Sequence, residues 1–468
     1  MVQFLPLLES IMRKKIALIS ANFYTIPYPV YPLGVSYLAS YLSATLSDGF
    51  EVKLYDIILE ETSSLADFLR ENDFLLVGIS LRNFDDSTNV FDDNIFVAKY
   101  KEIINTVRAN TNSPIVIGGS GFSVFPELMF NELKPDYGIQ GEGEESLRQL
   151  VLAINEGREP YSIEGLAYRL PDGSFHVNNH TNYISAPVLH VENSWADYYW
   201  KEGGMLNIQT KRGCPYHCIY CSYPIVDGRR VRTLDARMVV KNIEELYLSK
   251  GVSYLFFSDS IFNIHKDYNE ELARRLIESK AKIRWGAYFS PSNMTFDELA
   301  LYRKSGLTHV EFGTDSLSDR QLEKYNKKFR FSDVKQQSDF CGNLGIFYAH
   351  YLILCAYGET EETLNETFSR STELGLTIYF PYIGMRIYPD TELCKIAINE
   401  GLILSPNELI NPVRYISKDI DIETIRARAA ATGQRWVFPD DPHSPMMDVL
   451  RKRGRKGLLW EYLRFFSQ

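Results

Sequence analysis

Six cysteines in 468 residues are too few for a disulfide scaffold, and a thiol-poor chain is expected in a reducing compartment. No apolar run is long enough to span a bilayer. The opening MVQFLPLLESIMRKK carries its basic residues after the apolar stretch, and Glu9 interrupts that stretch. An export signal is therefore not expected, and the cytoplasm is the expected location. Positive charge is also scarce, since 50 lysines and arginines face 60 acidic residues for a net charge of −10. Nucleic acid is thus not the expected partner, because phosphate binding needs a clustered positive field. One basic run, RKRGRKG from Arg451 to Gly457, reads as a solvated helix end or a docking surface. Fixed-period repeats and low-complexity tracts are missing too, and the first 150 residues contain no histidine.

What is present is alternation. KKIALISA (14–21), FEVKLYD (50–56), DFLLVGISL (73–81) and SPIVIGGS (113–120) read as strands separated by helical patterns. DYGIQGEGEESLRQLVLAI closes this series with a strand, a glycine turn and a helix. Such alternation predicts a parallel, doubly wound α/β domain over residues 1–150, Rossmann-like, with ligands at the C-terminal strand ends. Residues 151–203 read as a connecting segment containing a hairpin with a Pro-Asp-Gly turn. Six further βα units fill residues 204–395, with strands at MLNIQTKRG, SYLFFSD, IRWGAYF, THVEFGTD, FYAHYLILCA and LTIYFPYIGMRIYP. They fit a partial (β/α)6 barrel, whose chemistry collects at the C-terminal strand ends. Residues 396–468 read as a small helical C-terminal region.

Half of the cysteines lie in one stretch, GCPYHCIYC, directly after the first barrel strand. Cys214, Cys218 and Cys221 have the spacing Cys-x3-Cys-x2-Cys. A structural zinc site wants four ligands, and His217 lies between two of these thiols. An iron–sulfur cubane normally takes four thiolates, so three leave one iron open for another ligand. Zinc, three unrelated thiols and an open-iron cluster all stand as readings of the spacing alone. Cys341, Cys355 and Cys394 are too widely spaced for a second motif and read as buried thiols.

Cys214-x3-Cys218-x2-Cys221, with Tyr220 before the last cysteine and a βα barrel following, resembles the radical S-adenosylmethionine superfamily. The resemblance implies that the three cysteines hold a [4Fe-4S] cluster. Its open iron would take the amino and carboxylate groups of S-adenosylmethionine, and one electron would cleave the sulfonium to a 5′-deoxyadenosyl radical. It also implies cofactor contacts for Tyr220, for Asp259 and Ser260 in SDSIFN, and for Asp315 in FGTDS, where the family usually has Glu. Gly358 in CAYGETEET and Arg386 in GMRIYPDTEL match further family elements. Glu359 could instead cap the next helix, Arg386 could form a salt bridge in the barrel wall, and Arg232 is the expected inward-facing base. An electron donor, either flavodoxin or ferredoxin or a dedicated reductase, is the implied partner.

PYPVYPLGVSYLASYL, VIGGSGFSVFPE and DYGIQGEGEESL resemble the cobalamin-binding domain that precedes many such barrels. Gly118, Gly119, Gly121, Gly141 and Gly143 would then lie against the corrin. The Asp-x-His-x-x-Gly motif that ligates cobalt elsewhere is absent, so no histidine of this domain is expected on the metal. The implied activity is cobalamin-dependent C-methylation of a small molecule. The alternative is a cobalamin-independent dehydratase or deoxygenase of natural-product, aminoglycoside-like assembly, with a vestigial domain. A noncatalytic carrier is the reading from another class. Tyr223, Tyr288, Tyr351 and Tyr382, at strand ends and in the cysteine loop, are expected to border the substrate pocket or to fill core.

Overall fold

The computed structural model describes residues 13–85, 95–181, 183, 193–441 and 444–465. The chain forms two compact units. The first takes in Gly34–Arg82 and Val97–His190 together with the chain up to Phe23, and the second contains Tyr24–Leu33, Asn83–Phe96 and everything from Val191 onward.

The first unit is a seven-stranded sheet. Its parallel part runs in the order Phe50–Asp56, Lys14–Ser20, Phe74–Ser80, Ile115–Gly118 and Tyr137–Ile139. Ile16, Ala17, Leu18 and Ile19 are all buried, as expected of a strand covered on both faces by helices. The order reverses between Lys14–Ser20 and Phe74–Ser80, which makes the C-terminal strand ends there a ligand crevice. The hairpin of Leu166–Arg169 and Phe175–Val177 is where the expectation fails. It is not a connector: Leu166–Arg169 pairs antiparallel with Tyr137–Ile139 and extends the first sheet. Local turn chemistry signals a hairpin, but backbone pairing between distant strands decides which sheet it joins.

The second unit carries six parallel strands in chain order, Leu206–Ile208, Tyr254–Phe257, Arg284–Phe289, Leu307–Asp315, Phe347–Leu354 and Ile378–Ile383. A short seventh, Arg435–Trp436, pairs parallel with the sixth, and the sheet stays open as a partial barrel. The helices between them are set by local chemistry. Asp235, for example, caps Ala236–Lys250 by accepting from the amides of Arg237 and Met238, and Gly251 ends it in the left-handed region.

Two details of this barrel differ from the sequence expectation. The first strand ends at Ile208 rather than continuing to Gly213, and Lys211–Arg212 pairs antiparallel with Arg232–Thr233 instead. The cause is a bend at Thr210, whose amide and hydroxyl are both tied to the Asp259 carboxylate. The C-terminal region is helical in part, but it also supplies Arg435–Trp436 to the sheet, and its end forms a floor. Met447, Leu458, Leu459, Trp460 and Leu463 pack with Tyr254, Phe256, Ala349 and Ile378 in one buried cluster. Tyr254 and Ile378 begin their strands, so this segment closes the N-terminal end of the barrel and leaves the C-terminal rim for chemistry.

Candidate functional site

The cysteine loop leaves the barrel rim from a fixed base. Gly213 has φ +89°, and a Cβ there would lie 2.2 Å from the carbonyl oxygen of Arg230, so only glycine can precede Cys214. The Cys214 amide donates to Gly228 O at 3.0 Å, the Cys221 amide to Cys218 O at 3.2 Å, and the Ile219 amide to Tyr325 O at 3.4 Å. The loop is thereby pinned at its base, its turn and its far side. Cys214 is buried, while Cys218 and Cys221 are half-buried. Burial raises all three thiols, Cys221 to about 12, so metal binding here must displace protons. Among the described residues, no three His, Cys, Asp or Glu side chains converge closely enough to share one ion. A cubane makes no such demand, because each thiolate binds a different iron. Three ordered, partly accessible thiols on one rim loop fit that group.

Beside the loop lies a buried trio that only partly follows the sequence reading. Asp315 ends the fourth barrel strand at φ +63°, a conformation Asp tolerates better than most residues. Its carboxylate accepts from the Tyr220 hydroxyl and ion-pairs with Lys327 Nζ at 2.5 Å. Lys327 also donates to the Tyr220 hydroxyl at 3.2 Å. Burial alone would neutralise this ammonium, but Asp315, Cys218 and Cys221 outweigh it and raise its pKa. A fixed cation thus faces the sulfurs and opposes the negative charge that a thiolate-ligated cluster would bring. Tyr220 and Asp315, two of the expected residues, are thus brought together, whereas Lys327 was not among the expected residues. It sits in YNKKFRF, where nothing distinguishes an inward lysine from a solvated one.

Other expected contacts are engaged elsewhere. The Asp259 side chain is tied to the bend that leads into the cysteine loop. It accepts from Thr210 N at 2.6 Å and Lys211 N at 3.0 Å, and pairs with Lys211 Nζ at 2.9 Å. Ser260 donates to Gly213 O at 3.1 Å and lies against the Cys214 thiol, so it belongs to the loop. The Arg386 guanidinium is in a salt bridge within its own unit, with Asp85 at 2.8 Å, and donates to the carbonyls of Ile387, Val413 and Leu409. Arg232 is half-buried and donates to the Asp227 carbonyl at 2.5 Å, bracing the cysteine loop.

Gly358 turns at φ +73° against the Lys324 side chain. Next to it, Glu359 is buried and accepts from the Cys355 amide, while Thr360 caps the following helix in its place. Burial raises the Glu359 carboxyl to about 8. The folded state therefore keeps a proton that the unfolded chain releases in the ordinary carboxylate range. Stability tied to this group is full below that range and is lost as pH rises through about 8. Thermal melts from about pH 6 to about pH 9 should show a decline in the wild type that Glu359→Gln largely removes. Parallel pH profiles for the two proteins would refute this.

In the first unit, Gly118 ends the fourth strand, Gly119 and Gly121 follow it, and Gly141 and Gly143 follow the fifth, all at C-terminal strand ends. Gly119 has an internal reason as well, since a Cβ at its φ of +92° would meet the Leu81 carbonyl oxygen at 2.7 Å. Asp56, at another strand end, is buried and accepts from the Ile58 amide as a helix cap.

This loop on this rim, in a chain that also holds a doubly wound unit of 2-1-3-4-5 order, defines the class. Residues 208–370 match the radical SAM superfamily and residues 19–151 match the B12 binding domain, so the chain carries a radical SAM domain with a B12-binding-type domain ahead of the barrel. Among its relatives is the tryptophan 2-C-methyltransferase of Streptomyces laurentii, 26% identical over 448 residues, covering 81% of this chain and 74% of the relative. An uncharacterized methyltransferase of Pyrococcus horikoshii is 29% identical over 388 residues, covering 80% of each. Among solved structures, the radical S-adenosylmethionine methyltransferase TsrM from Kitasatospora setae, with cobalamin and a [4Fe-4S] cluster bound, superposes with a TM-score of 0.85 at 23% identity, covering 97% of both chains. That likeness carries the fold. Among the described residues, no helix is long and apolar enough to cross a membrane.

Proposed function

We propose that this protein is a cobalamin-dependent radical S-adenosylmethionine methyltransferase acting on a carbon of a small molecule. The observation that carries it is the three-cysteine rim loop in one chain with a B12-binding-type domain. Methyltransferase relatives aligned over about four-fifths of the chain support methyl transfer over dehydration. Cys214, Cys218 and Cys221 hold the cluster, and Gly118, Gly119, Gly121, Gly141 and Gly143 lie beside the corrin. When bound, the cluster supplies the electron that cleaves S-adenosylmethionine, and cobalamin supplies the methyl group. The chain's own part is positional. Gly213 and Ser260 set the loop, Asp315 and Tyr220 hold the Lys327 ammonium beside the sulfurs, and the C-terminal floor closes the barrel from below. A cytosolic flavodoxin, ferredoxin or dedicated reductase delivers the electron.

The test uses full-length protein, purified anaerobically and reconstituted with iron, sulfide and hydroxocobalamin, then supplied with S-adenosylmethionine, reductant and a metabolite extract. Retention of one corrin through gel filtration and formation of S-adenosylhomocysteine are expected. Formation of 5′-deoxyadenosine with neither corrin retention nor S-adenosylhomocysteine would overturn methyl transfer in favour of the dehydratase reading.

A further inference from the structure

The inner face of the barrel holds an acid that neither the loop nor the trio uses. On Leu307–Asp315, alternate residues His309, Glu311 and Gly313 share one face, and the register shifts between Gly313 and Asp315. Asp315 lies at the rim beside the cysteine loop, and His309 lies on the floor, where its Nε2 is 3.0 Å from Glu461. Glu311 sits between them on the same strand. It is buried, and accepts from the Trp460 indole nitrogen at 2.9 Å and from the Tyr351 hydroxyl. Among the described residues, no lysine, arginine or histidine pairs with it.

Above Glu311 the barrel is open. A Cβ built on Gly313 meets no atom within 4 Å. Tyr288, on the neighbouring strand, is 38% exposed, yet its ring packs edge-on against Phe256 with centroids 4.9 Å apart, and desolvation drives its phenol well up. An enclosed side chain with that much open surface lines a water-accessible chamber. Tyr351 stacks on Phe380 at 5.0 Å, and Tyr382 lies parallel to Tyr351 at 6.5 Å. Tyr28, Tyr223 and Tyr382 are near enough to act electrostatically on the Tyr288 phenol. Tyr288, Tyr351 and Tyr382, three of the tyrosines singled out from the sequence, thus share a sheet face with a carboxyl that the sequence did not mark.

We propose that Glu311 is the recognition group of the substrate chamber, and that the substrate is a small amine whose ammonium meets this carboxylate while its apolar or planar part lies between Tyr288, Tyr351 and Tyr382. A single acid within an aromatic wall selects a cation, because the rings offer their negative faces to it. Burial holds the Glu311 carboxyl near 7, so the anion is available at neutral pH, and an arriving ammonium stabilises it further. The inference rests on the radical S-adenosylmethionine reading, which puts the reacting centre at the chamber's mouth.

The test is binding, not turnover. Reconstituted full-length protein with S-adenosylmethionine present is titrated calorimetrically with phenethylamine, 2-phenylethanol and 3-phenylpropionate. Phenethylamine should bind roughly tenfold or more tightly than either of the others, the worth of one charge-assisted contact. Glu311→Gln keeps an acceptor for Trp460 and should abolish that preference. Gly313→Val fills the open space and should weaken all three probes while leaving the Trp460 contact and the melting temperature near wild type. Equal binding of the three probes, tighter binding of the carboxylate, or an intact amine preference in Glu311→Gln would each overturn the proposal. The same wild-type samples assayed for 5′-deoxyadenosine report separately on the underlying reading, which can fail with the chamber's selectivity intact.

Discussion

Cys218→Ala is expected to lose the four-iron chromophore and to form no 5′-deoxyadenosine above background, while its thermal unfolding stays within a few degrees of wild type. Cys218 is half-buried on a loop, so its loss removes little packing. The loop's anchors are backbone bonds from Cys214, Ile219 and Cys221, and an alanine at 218 preserves them. Two thiolates cannot retain a cubane of the three-cysteine type, so the effect on chemistry is all-or-none. Iron content, the visible spectrum and product analysis of anaerobic protein check the result. Iron binding and deoxyadenosine formation at wild-type levels would remove Cys218 from the ligand set.

The second large effect concerns a residue expected to touch cofactor. Asp259→Ala should cost roughly 3–5 kcal/mol of stability, because it leaves the Lys211 ammonium buried without its counter-charge. The two side chains are only 2% and 1% exposed, and Lys211 already sits below its ordinary pKa through burial, with Asp259 opposing that fall. The variant also frees the Thr210 and Lys211 amides that Asp259 holds, at the bend leading into the cysteine loop. Loss of activity in Asp259→Ala alone would therefore say nothing about cofactor contact. A Lys211→Met, Asp259→Leu double variant removes both charges and should recover the part of the loss that comes from the bare ammonium, but not the part that comes from the freed Thr210 and Lys211 amides. Denaturant unfolding and S-adenosylmethionine binding should be measured on both. Full stability in Asp259→Ala, or a stable double variant that cannot bind S-adenosylmethionine, would return Asp259 to the cofactor.

The contrast between these residues shows what a linear reading reaches. The cysteine loop was legible because its three thiols lie within eight positions, and the chemistry of three thiolates constrains their spacing whatever surrounds them. The alternation of strands and helices was legible for a similar reason, since periodicity is a local property. Partners remote in sequence were not. Asp259 and Arg386 were recognised as polar residues at strand ends, but the groups they meet, Thr210 with Lys211 and Asp85, lie far away in the chain. Lys327 reaches Asp315 from a basic run with no outward sign of burial. Glu311 was passed over because a single acid in a strand is unremarkable until its parity puts it inside a barrel.

By itself, then, the sequence determined the two kinds of αβ unit, the rim loop and the class of chemistry its three thiols support. The tertiary structure decided which charges are paired and which stand open. It set Asp259 as a brace, Lys327 as the fixed cation beside the sulfurs, the C-terminal segment as a floor, and Glu311 as the acid beneath an open chamber. The physical reason is that burial and pairing depend on side-chain direction and on contacts between strands remote in the chain. A thiol spacing records neither.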